Sequence, residues 1–137
     1  MKEGEVFALK ELIPYRKESI VNIDVLSNSK TKAVVMAFDE GTALGEHTAP
    51  GDAIVFALEG KATIGYEGKD YPIKEGENFH FAKGGKHSVK ADGRFKMALL
   101  LSLEYYTGEQ HCCPLLVSKS SSVLVQYLHN PRVQCIP

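Results

Sequence analysis

Five histidines and three cysteines are the side chains of this 137-residue chain best suited to ligate a metal or move a proton near neutral pH. His47, His80 and His87 lie in the charge-rich first part, whereas His111, Cys112, Cys113, His129 and Cys135 crowd the last part. The latter group fits no C-x-x-C pair or zinc-finger spacing, and adjacent cysteines rarely share one tetrahedral ion. We therefore read the three cysteines as free thiols. Nucleophilic serine chemistry has no G-x-S-x-G elbow to stand on, and no glycine loop of the phosphate-cradling kind is present. What remains is imidazole chemistry, either metal ligation or acid–base work, in the first part of the chain.

The bulk properties narrow the partners. A formal net charge of -1 gives no electrostatic attraction toward nucleic acid or an anionic membrane. The short basic cluster Lys83-Gly84-Gly85-Lys86 lacks interleaved aromatics and reads as a solvated turn. Lys2, Glu3, Glu5, Lys10 and Glu11 leave no room for a signal-peptide core, and the apolar runs are too short to span a bilayer. The expectation is a cytoplasmic protein with neither nucleic acid nor membrane as partner.

Short blocks of β-branched and aromatic residues, divided by glycine-bearing turns, must position any imidazole site. Ile20 to Val25 and Lys32 to Phe38 each read as a strand. Ala53 to Leu58 is continuously apolar, as expected of a strand buried on both faces. Glu59-Gly60-Lys61 and Glu67-Gly68-Lys69-Asp70 read as hairpin turns. Asn78 to Ala82, His87 to Ala91 and Phe95 to Leu103 complete the strands, and Glu5 to Leu12 suits one turn or a short helix. The pattern predicts an all-β sandwich or closed barrel over residues 1–104. Residues 105–137 carry only Glu109, Lys119 and Arg132 as charges, and predict a C-terminal extension that contains an added strand over residues 122–128.

Two stretches resemble the paired motifs of the cupin superfamily. Gly41, His47 and Gly60 match the first motif, and Gly76, Gly84 and His87 match the second, with Ala82 where the family has proline. The resemblance spans roughly residues 30–104 and implies a double-stranded β-helix, or jelly-roll, barrel with a pocket between its sheets. In metal-binding cupins three histidines and one glutamate hold a divalent ion. Here His47 and His87 stand at two of those positions, while Ala49 and Ala53 occupy the other two. Asp52 is one residue early, and a bulge at Pro50-Gly51 would be needed to aim it inward.

The resemblance therefore implies a ligand pocket formed by His47, His87, Ala49, Asp52 and Ala53, with His47 and His87 as an incomplete metal pair. Three functions follow. The first is a module binding a small organic ligand, since alanine in place of a ligand widens the pocket and makes it more apolar. The second is a metal-dependent dioxygenase or isomerase that recruits iron, manganese, nickel or zinc with a third ligand from Asp52, Glu46 or His80. The third is a metal-free, epimerase-like acid–base enzyme that pairs a histidine with Tyr66 or Tyr71. Whether the chain is an enzyme stays open at this point. Many small cupins pair through their sheet edges, so a homodimer is the implied assembly.

Overall fold

The computed structural model describes residues 2–103; the predicted extension over 105–137 lies outside them. Seven strands follow a 3-10 turn at Leu9–Glu11: β1 (Ile20–Ser27), β2 (Thr31–Phe38), β3 (Ala43–Thr48), β4 (Ala53–Tyr66), β5 (Lys69–Lys74), β6 (Asn78–Phe81) and β7 (Lys86–Ser102). All pairings are antiparallel. The fold is the expected all-β double-stranded β-helix. Among the described residues no helix is long and apolar enough to cross a membrane.

Two long strands organise it. The first half of β7 lies between β3 and the second half of β4, while its last half lies between β2 and the first half of β4. β6 and β5 add to the two halves of β4 in turn. Register shifts between Ala57 and Lys61 bend β4 against β7, and they turn one continuous ladder into two facing layers. Val55 and Phe38 from one layer meet Ile64 and Val89 from the other in a single apolar core.

The bend corrects two sequence expectations. Glu59-Gly60-Lys61 is not a hairpin turn but a bulge inside the 14-residue β4. Likewise, residues 87–91 and 95–103 belong to one 17-residue strand, β7, rather than to two. The physical reason is shared: glycine at positive φ serves a bulge as readily as a turn. By contrast, Glu67 and Gly68, at φ 48° and 80°, do make the two-residue turn that joins β4 to β5.

A third correction concerns burial. Ala53, Val55 and Ala57 face the core, but Ile54 and Phe56 remain 39% and 37% exposed on the outer face. The strand buried on both faces is β2, where Val35 and Ala37 pack under an N-terminal strap that contains the fully buried Ile13. Tyr15 Oη donates to Glu59 at 2.5 Å and Lys96 Nζ donates to the Lys10 carbonyl at 2.7 Å, and these bonds hold the strap down.

Candidate functional site

His47 and His87 face one another directly. They are register partners on β3 and β7, and their ring centroids lie 4.1 Å apart in an edge-to-face contact. His87 is 5% exposed and stacks on Phe81 of β6 at 4.1 Å, whereas His47 is exposed. Each ring is fixed by the backbone two residues earlier. Nδ1 of His47 lies 2.7 Å from the Gly45 carbonyl, and Nδ1 of His87 lies 3.0 Å from the Gly85 carbonyl. A carbonyl oxygen only accepts, so Nδ1 carries the hydrogen in both neutral rings and Nε2 is left as the free acceptor.

Burial pushes the pKa of His87 below the ordinary histidine value of 6.5; the Gly85 carbonyl opposes this and the nearby His47 adds to it. The consequence for stability has a definite sign. The unfolded chain takes up the proton at higher pH than the folded chain does, so stability falls as pH drops through 6.5 toward the folded-state pKa. Melting temperatures of wild type and His87→Gln, measured from pH 8 to pH 5, are expected to diverge less at the acid end. Parallel curves would contradict this.

The two rings border a cavity of about 260 Å³ between the layers. Val34 and Met36 of β2, Leu44 of β3 and Leu99 of β7 supply an aliphatic lining, and Ala49 and Ala53 both line it as well. Asp52 does not: its Oδ1 instead accepts from the Lys83 amide at 2.8 Å, which ties two loops together. The other supporting candidates lie elsewhere too. Glu46 and His80 are exposed, and His80 faces away from Phe79 and Phe81 as its alternation predicts. Tyr66 and Tyr71 do not line the cavity; both pack on Phe79, and the Tyr66 hydroxyl accepts from the Ala82 amide at 3.3 Å.

The donor set does not fit a resident divalent metal. Two imidazoles face the cavity without a carboxylate or thiolate, and the described residues hold no group of three or more potential ligands. Metal centres of the zinc or non-haem iron type need at least a third protein ligand.

Two participants escaped the sequence reading. Phe81 is not only core but the stacking partner of His87. Lys32 lines the cavity and is the one charged side chain among the described residues to do so. Its Nζ lies 3.5 Å from Asp24 Oδ2 in a pair whose side chains are 40% and 50% exposed, a contact worth about 0–1 kcal/mol. No motif marks either residue; only the cross-strand register reveals them.

Residues 34–103 match the family model described as "Cupin domain". Among solved structures, the chain is similar to a conserved protein of unknown function from Streptococcus pyogenes, at 24% identity over 77% of this chain and 93% of that one, with a TM-score of 0.73. It is also similar to a cupin superfamily protein from Desulfitobacterium hafniense, at 18% identity over 76% and 95%, with a TM-score of 0.72. A cupin 2 conserved barrel domain protein from Leptotrichia buccalis shares 32% identity over 70% of this chain but only 47% of that one, with a TM-score of 0.68. A search of curated proteins finds no match. With its fold, its paired motifs and more than half its length matched, this chain belongs to the cupin family.

Proposed function

We propose that this protein is a cytoplasmic binding module whose barrel cavity takes a small organic ligand. The observation that carries the reading is the apolar cavity of about 260 Å³ with the imidazoles of His47 and His87 at its wall. At about 30 Å³ per water, such a space admits a molecule with the bulk of about nine waters. Ala49 and Ala53 keep the cavity open, because a longer side chain at either position would project into it. A metal-dependent enzyme is less well supported, since the donor set lacks a third ligand. An epimerase-like enzyme lacks a tyrosine in the cavity to serve as the second acid–base group.

The test is a thermal-shift and native mass spectrometry screen of small organic molecules against wild type and Ala53→Phe, which fills the cavity. Ligands at about a hundred times their Kd are expected to stabilise wild type by about 2.7 kcal/mol and to leave the variant unmoved. Equal shifts in both proteins, or no shift with any compound, would overturn the reading. Stoichiometric metal in protein purified without chelator, lost in His47→Ala, would favour the enzyme instead.

A homodimer is part of the same proposal. Ile54, Phe56 and Leu100 leave the outer face of β4 and β7 apolar, and a second copy of this chain would cover it in a two-fold contact. Light scattering of wild type and Phe56→Lys checks it, with a dimer expected for the former and a monomer for the latter.

A further inference from the structure

The cavity floor has a direction. Lys32 lies opposite Leu101 in the β2–β7 ladder, Leu101 lies opposite Ala53 in the β7–β4 ladder, and Ala53 lies opposite Phe81 in the β4–β6 ladder. All four line the cavity, so one row of side chains runs across the layer from an ammonium group, over two aliphatic residues, to the ring stacked on His87. Neighbouring strands are spaced about 4.8 Å apart, which makes the row about 14 Å long between its outer strands.

The chemistry of the two ends differs. At one end Lys32 brings a positive charge, and among the described residues no carboxylate lines the cavity to balance it. Its partner Asp24 is half-exposed, and water screens that pair. At the other end the Nδ1 of buried His87 donates to the Gly85 carbonyl, which leaves Nε2 as the acceptor of that ring. His47 presents the same arrangement beside it. A hydroxyl on the ligand would donate to these acceptors, which the aliphatic lining cannot do.

We infer that the cavity selects a small apolar monoanion, with its carboxylate or similar oxyanion at Lys32 and a hydroxyl donor at the imidazole pair of His47 and His87. The inference rests on the binding function proposed above and adds the charge, the polarity and the orientation of the ligand. A cationic ligand would meet Lys32 with no compensating carboxylate among the cavity-lining residues.

Titration calorimetry near pH 7 with 4-hydroxybenzoate, 4-hydroxybenzamide and benzoate separates these elements. 4-Hydroxybenzoate is expected to bind about tenfold more tightly than the neutral amide, and added salt should narrow the gap. Lys32→Met should erase the gap, and Asp24→Asn should widen it. Benzoate, without the donor, should bind several-fold more weakly than 4-hydroxybenzoate in wild type, and equally in His87→Phe. Equal affinity for acid and amide, or a gap that survives Lys32→Met, would overturn the anion selectivity and leave the binding function standing. Failure of all three probes, together with a negative screen, would remove both.

Discussion

A chain carrying Ala49→His and Ala53→Glu together is expected to bind a divalent metal far more tightly than wild type does. Both alanines line the same cavity as His47 and His87, so the added imidazole and carboxylate would join the two rings already there. The existing rings are already oriented by the Gly45 and Gly85 carbonyls, the support that metal-ligating histidines commonly receive. Without metal the change should be costly. Ala53 is 2% exposed, and an unpaired carboxylate buried there would destabilise the barrel by about 3 kcal/mol. Zinc or nickel should then restore much of that loss, since binding to the folded state alone adds directly to stability. Calorimetric titration and thermal melts with and without metal decide it. A folded double variant with no more affinity for metal than wild type would show that the four positions do not converge.

The second large effect is expected at Gly60→Ala. A β-carbon there would stand 2.0 Å from the Arg94 carbonyl oxygen, which is backbone and has little freedom to move. The residue also adopts φ +77°, a region that side chains other than glycine enter only at a cost of about 1–2 kcal/mol. Clash and strain together should cost about 3 kcal/mol, which lowers the melting temperature by about 10–20 °C for a barrel of this size. Gly68→Ala is the control. Gly68 shares the positive φ, at +80°, but its β-carbon would meet nothing within 4 Å, so only the strain remains. Similar losses in the two variants would mean that the close approach of β4 to β7 is softer than its geometry implies.

The contrast between those glycines also explains what the sequence could and could not reveal. Gly60 and Gly68 each follow a glutamate and precede a lysine, and they read alike as turns. Only the pairing of Glu59 with Lys96 across a shifted register makes the first a bulge within a continuous strand. The all-β architecture was legible because β-branched blocks and glycine punctuation are local signals. The exposure of Ile54 and Phe56 was not, because an apolar run carries no mark of which face lacks a neighbour. His47 and His87 were singled out by motif spacing, and they stand as register partners on β3 and β7. Lys32 and Phe81 come into view only when three ladders are aligned, since nothing in their immediate sequence distinguishes them from an ordinary surface lysine and core ring. Asp52 precedes β4 and accepts from the Lys83 amide instead of lining the cavity.

The reach of β7 bears on how the protein comes into being on the ribosome. β2, β3 and β4 all depend on residues 86–102 for pairing, so the earlier segments emerge from the exit tunnel with unmatched edges. A nascent chain stalled before residue 86 would hold the β4–β5 and β1–β2 hairpins but nothing to join them. Closure has to wait for nearly the whole domain, and a late, all-or-none folding step with a high demand for chaperone protection in the interval is the outcome to expect.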